Sequence, residues 1–188
     1  MEILVIVLRA ASLATFVANM LLNPKREREN LAREHSGAKA PVIANIAAFG
    51  LFLPSLIAFA SGPDGRMVLP LAFAGCLLAM TGVVLVLRSR VVLGPAWSFV
   101  PRADEDMGFV TTGPYRFVRH PIYLGLSVMA MGQALAFSSW PALLILLSGI
   151  VPTFAWRAYT EERLLSRTFG ERYALYRKRT SMIIPYLL

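Results

Sequence analysis

Residues 67–87 read MVLPLAFAGCLLAMTGVVLVL, a run with no charged side chain. About 20 apolar residues in helical form cross a bilayer core, so this stretch predicts a membrane span. Four further runs share its character. Ile3 to Leu22 precedes it, with Arg9 and Asn19 inside. No small-residue cleavage pattern follows that run, which favours a span over a signal peptide. Val42 to Ala60 is the second run, interrupted by Pro54. Ile122 to Phe137 and Pro141 to Ala155 are the last two, separated only by Ser138-Ser139-Trp140. Each is short and the link permits only a tight reversal, so they read as one helical hairpin. Pro121 fits a first helical turn, where its missing N–H costs nothing, and Pro152 is expected to kink the fifth helix.

Composition agrees. Hydrophobic residues are 56% of the 188, charged residues 16%, and mean hydropathy is +0.58. That is more apolar surface than a soluble domain of this size hides. The formal charge of +8 would suit nucleic acid. The basic residues instead sit in short segments between apolar runs, where they set topology. Five Lys or Arg lie between Asn23 and Pro41, five Arg between Arg88 and Pro121, and seven Lys or Arg from Arg157 onward. The opposite side carries only Arg9 and Arg66. The positive-inside rule then predicts an outside N-terminus and a cytoplasmic C-terminus. The expectation is an all-α integral membrane protein of about five transmembrane helices. The last two form the hairpin, followed by a cytoplasmic C-terminal helical segment. Residues 1–87 read as a three-span scaffold and 88–188 as the functional half.

Cys76 is the lone cysteine and lies inside an apolar run, so it reads as a packing residue. Gly75, Ala79 and Gly82 suit close helix packing within one chain or between two. Asn19, Asn45, Thr81 and Gln133 interrupt the spans and are not ionisable; with Arg9 the one charged residue inside a run, the pattern argues against a transporter.

Polar residues gather at two span boundaries. The first is Gly113-Pro114-Tyr115-Arg116-Phe117-Val118-Arg119-His120-Pro121-Ile122-Tyr123-Leu124-Gly125. Arg116 alone reads as a snorkelling anchor. A helix starting near Pro121 puts His120 at its N-cap and Tyr123 in its first turn. Its N–H groups and positive dipole end would then suit a carboxylate or another acceptor-rich ligand. The second boundary holds Arg157, Glu161 and Glu162. Arg157 and Glu161, four apart, share a helix face and can form an ion pair. The two acids point about 100° apart, so neither they nor their neighbours form a metal cluster. Glu162 is expected at a wet boundary, where carboxylates can hold a ribose diol. Asp104-Glu105-Asp106 reads as a solvated loop.

Taken together, these residues resemble the isoprenylcysteine carboxyl methyltransferase family, related to the membrane phospholipid methyltransferases. Leu93-Gly94-Pro95-Ala96-Trp97-Ser98 is similar to one family segment, and Gly113 to Gly125 to its Arg-His-Pro-x-Tyr motif. Glu161-Glu162 resembles the paired glutamates. Phe169-Gly170-Glu171 with Tyr173, Tyr176 and Ile184-Pro185 resembles the C-terminal signature. The resemblance covers roughly the second half of the chain. It implies an enzyme that binds S-adenosylmethionine from the cytoplasm and takes a lipophilic substrate sideways from the bilayer. By position it assigns Arg119, His120, Pro121, Tyr123, Leu124, Glu161 and Glu162 to the cofactor, and Arg157 to the neighbourhood of the transferred methyl.

The chemistry suits those assignments. A sulfonium is a cation that the rings of Tyr123 or Trp97 can stabilise, and Trp97 is a candidate substrate contact. A carboxylate acceptor, with a free pKa of about 4, arrives deprotonated and needs a cation, for which Arg157 is the candidate. A lipid amine needs a base, and Glu161, Glu162 or His120 could serve. The residues leave both acceptors open. The ending Ile183-Ile184-Pro185-Tyr186 also resembles NADPH-dependent sterol reductases, so that class stays open, as does a non-enzymatic membrane protein.

Overall fold

The computed structural model describes residues 6, 7, 9–11, 13, 14, 39–58, 69–94 and 109–185. Four helical rods carry most of them: α1 (Lys39–Ala58), α2 (Leu69–Leu93), α3 (Pro121–Ala136), and a continuous rod of α4 (Trp140–Ile145), a π turn (Leu146–Ile150) and α5 (Val151–Arg177). Among the described residues there is no strand, only one isolated parallel bridge between Val118 and Ser181. Among the described residues, three helices are long and apolar enough to cross a membrane: Ala40–Ala58, Leu69–Leu93 and Trp140–Arg177. Pro121–Ala136 is shorter. The run expected at 3–22 lies mostly outside the described residues.

Lipid tails are as apolar as leucine, so close packing rather than hydrophobicity must hold such helices together. The α2–α3 pair shows how. A Cβ added to Gly82 would fall 2.5 Å from the Met129 backbone nitrogen, and one added to Gly125 would fall 2.8 Å from Val86 Cγ2. The backbones touch because the side chains are missing. The small residues singled out in the sequence therefore pack within one chain. The rod from Trp140 packs instead on α1, where Phe49, Phe52 and Leu56 meet Leu146, Ile150 and Phe154 in the core. Outward-facing Ile43, Ile46, Leu51, Phe73, Leu77, Val84 and Leu144 give the bundle its exposed apolar coat.

The hairpin turns through Phe137, Ser138 and Ser139. Ser138 takes φ 52°, and the Ser139 hydroxyl donates to Ser55 O at 2.9 Å, tying the reversal to α1. Two boundaries differ from the sequence expectation. Helix α2 runs past Leu87 to Leu93, so Arg88 and Arg90 ride on it. The rod does not break after Ala155; it continues to Arg177 with one non-helical residue, Gly170 (φ 51°). The second polar knot and the fifth span are thus one helix. Pro152 is accommodated by the π turn just before it. Its ring would crowd the carbonyl of Ser148, which lies inside that turn.

Candidate functional site

The segment ahead of α3 is shaped by its prolines and by the chain end. A 3-10 turn, Gly113–Arg116, buries Tyr115. The C-terminal stretch then folds back beside it. Arg119 N–H donates to Ser181 O at 2.9 Å, His120 N–H to Met182 O at 3.0 Å, and Ser181 N–H to Phe117 O at 3.3 Å. The Tyr176 hydroxyl donates to Tyr115 O at 2.6 Å. Phe109, Phe169, Tyr173 and Tyr176 form an aromatic cluster behind this strap.

His120 does occupy the N-cap position of α3, but its side chain does not cap the helix. The N-cap N–H itself is taken by Met182 O. The imidazole turns instead toward α5, between the two acids. Nδ1 lies 3.3 Å from Glu161 Oε2, and Nε2 lies 3.7 Å from Glu162 Oε1. The side chains diverge around the helix as expected, yet one imidazole reaches both through its opposite nitrogens. Burial alone would lower the His120 pKa; the two carboxylates outweigh it, and the pKa is raised.

The adjacent glutamates do different work. Glu161 accepts from the Tyr123 hydroxyl, and its charge faces Arg157. The Arg157 guanidinium sits 5.3 Å from the centre of the Tyr123 ring. Tyr123 stacks with both His120 and Phe154, with centroids 5.6 and 5.0 Å apart. A ladder of three rings therefore runs from the polar cluster into the apolar core. Glu162 is tied up by arginines: Arg119 Nε donates to Oε1, and Arg177 Nε lies 3.3 Å from Oε2. Arg119 also donates to the carbonyls of Thr180 and Arg177. The wet boundary expected for Glu162 is corrected too: it is 4% exposed, with Arg119, His120 and Arg177 around its oxygens.

The structure thus brings Arg119, His120, Tyr123, Arg157, Glu161 and Glu162 into one cluster. Pro121 is buried at its base, and Leu124 joins through its backbone N–H to His120 O at 3.2 Å. Trp97 lies outside the described residues. Phe154 and Arg177 were not singled out from sequence. Phe154 had a signal, standing three residues before Arg157 on the same helix face. Arg177 had none, since only the fold-back brings it to Glu162.

The donor set fits S-adenosylmethionine. The Glu161 carboxylate can meet an ammonium or diol group, and the Arg157 guanidinium is a buried cation beside it. His120 Nε2 is buried and meets Glu162 Oε1 only at the longer ion-pair distance of 3.7 Å.

Comparison with known proteins places this cluster in context. The sequence model of a family described as phospholipid methyltransferase matches residues 71–172. A protein-S-isoprenylcysteine O-methyltransferase of Schizosaccharomyces pombe is 31% identical over 105 residues, covering 54% of this chain and 44% of the relative. Methanethiol S-methyltransferase 1 of Bradyrhizobium diazoefficiens is 30% identical over 141 residues, 71% of this chain and 47% of that one. The chain spans about half the length of these curated relatives. In structure it is similar to a eukaryotic intramembrane Ras methyltransferase, an isoprenylcysteine carboxyl methyltransferase. The TM-score is 0.61 at 21% identity, covering 95% of this chain and 63% of that one, a likeness of fold.

Proposed function

The chain belongs to the phospholipid methyltransferase family, and from that premise we propose that it is a membrane-embedded, S-adenosylmethionine-dependent methyltransferase with a lipophilic acceptor. The favoured acceptor is the carboxylate of a prenylcysteine-like or other isoprenoid or lipid substrate. The observation that carries this reading is the buried cluster of Glu161, His120, Tyr123 and Arg157, midway along the long rod where its apolar run ends. Charge and apolar surface meet there, as a polar cofactor and a lipid acceptor require. The residues in contact all fall between 109 and 182, which supports a scaffold in 1–87 and a functional half in 88–188. The charge bias supports an outside N-terminus, with the C-terminus and site in the cytoplasm.

When bound, S-adenosylmethionine supplies a methyl on a sulfonium. Glu161, His120, Tyr123 and Glu162, with Arg119, Pro121 and Leu124 beside them, form its cradle. Displacement at a methyl demands in-line approach, so positioning supplies much of the acceleration. Arg157 holds and desolvates the acceptor carboxylate with its planar fork. No general base is needed for that acceptor. Trp97 is proposed as a further substrate contact.

A second reading is N-methylation of a lipid amine. It is favoured by the Glu161 carboxylate beside His120, an acid–base pair able to take a proton. Transfer of labelled methyl to candidate acceptors separates the two. A base-labile, volatile label marks a methyl ester and supports the first reading; a base-stable label marks an amine and supports the second. No incorporation into either class contradicts both.

A further inference from the structure

The buried face of the rod from Trp140 has an unusual period. Ala142, Leu146, Ile150, Phe154, Ala158 and Glu162 are each at most 4% exposed, and each stands four residues from the last. A regular α-helix advances about 100° per residue, so steps of four overshoot a turn by about 40° each. Over the five steps from Ala142 to Glu162 the drift reaches about 200°, enough to swing Glu162 away from the face that began at Ala142. The π turn Leu146–Ile150 lies in the middle of this row. A π turn holds one extra residue, which takes back about 100° of that drift.

The turn is also fastened. Asn45 of α1 donates from Nδ2 to Thr153 Oγ1 at 2.9 Å, and Thr153 Oγ1 donates to Ile150 O at 2.9 Å, at the last residue of the turn. Asn45 is 6% exposed. One hydroxyl therefore joins the end of the irregular turn to the neighbouring helix. Four residues beyond Thr153 stands Arg157, then Glu161 and Glu162. Gly149 does not explain the turn by steric need, since an added Cβ would meet Ala48 Cβ at an ordinary 3.5 Å.

We propose that the π turn, pinned by Asn45 and Thr153, is the register device that aims Arg157, Glu161 and Glu162 at His120 and Tyr123. Asn45 and Thr153 are positioning residues; neither touches the cluster. The inference stands on the geometry, and only its ligand readout rests on the methyltransferase reading.

The His120 imidazole reports the register without any ligand. Glu161 and Glu162 face it from α5, Tyr123 from α3, and Arg119, Arg157 and Arg177 surround the two acids. The chain holds two histidines, so His35→Gln leaves His120 as the single signal to titrate by nuclear magnetic resonance in detergent. In that background Thr153→Val keeps the side-chain shape and removes the hydroxyl. Its His120 midpoint should shift downward, Asn45→Leu should match it, and Thr153→Ser should restore the starting value. Deleting Gly149 should move the midpoint furthest, below the ordinary histidine value, because burial would act with no carboxylate opposing it. Loss of stability alone would change the melting temperature and leave the titration in place. An unshifted midpoint in Thr153→Val overturns the assignment, whether or not the deletion folds. S-adenosylhomocysteine affinity should weaken in the same order as the midpoint falls. If the unaltered protein binds none, the methyltransferase reading fails and the histidine titration still decides the register.

Discussion

Arg157 lies over the face of Tyr123, 5.3 Å from the ring centre, and both side chains are buried. A guanidinium held against a ring, with the Glu161 charge facing it, is a desolvated cation at the edge of the apolar core. Its rigid, planar donors match a carboxylate in a way that an ammonium does not.

Arg157→Ala should therefore leave S-adenosylhomocysteine affinity within about twofold while turnover of a carboxylate acceptor falls by roughly a hundredfold, a loss on the scale of misplacing a reacting group. Arg157→Lys should recover little of it. Steady-state kinetics in detergent, paired with calorimetry, would separate the two effects; full activity in Arg157→Ala would remove this residue from the mechanism.

Glu162 holds Arg119 and Arg177 on its two oxygens, and Arg119 is itself buried. Glu162→Ala leaves that arginine uncompensated and frees the strap. Breaking a buried pair costs about 3 kcal/mol, so the variant should melt at lower temperature. Limited proteolysis should cut it after Gly170. Resistance equal to the parent protein would show that Glu162 does not fasten the chain end.

His120 links stability to pH. Its folded pKa is raised above the unfolded value by Glu161 and Glu162, although burial pulls the other way. Such a group contributes stability in full below the unfolded value, about 6.5, and loses it as pH rises through the folded value. Melting temperature should fall across that window in the parent protein. His120→Asn should flatten the profile there, and an unchanged slope would count against the contacts.

Gly82→Ala tests the α2–α3 seam. Its new methyl would fall 2.5 Å from the Met129 nitrogen and 2.6 Å from Gly125 O, both backbone atoms that cannot rotate away. Overpacking of this kind costs about 1–3 kcal/mol, read as lower thermal stability in detergent. Gly50→Ala, with nothing within 4 Å, is the matched control and should change little.

Much of this was legible in the chain. The apolar runs gave α1, α2, the hairpin and the start of the long rod, because span length and charge bias are properties of local sequence. The candidate residues were found as two boundary clusters, and Arg119, His120, Tyr123, Arg157, Glu161 and Glu162 do converge. Division of labour between the adjacent acids was not legible. It depends on Arg177 and on the fold-back pairing of Ser181 and Met182 with Phe117, Arg119 and His120, contacts made over some sixty residues. Sequence periodicity cannot report such a reversal. The π turn was hidden for a related reason: Pro152 announced an irregularity, but a kink and a π turn answer the same missing donor.

The central claim is that the His120–Glu161 cluster is a site for S-adenosylmethionine. Its most direct test is calorimetric titration of S-adenosylhomocysteine, and separately NADPH, into the detergent-purified protein and its Glu161→Gln variant. The account predicts micromolar binding of S-adenosylhomocysteine alone, weakened at least about tenfold, or 1.4 kcal/mol, by the substitution. Binding of NADPH alone, or of neither ligand, would contradict it.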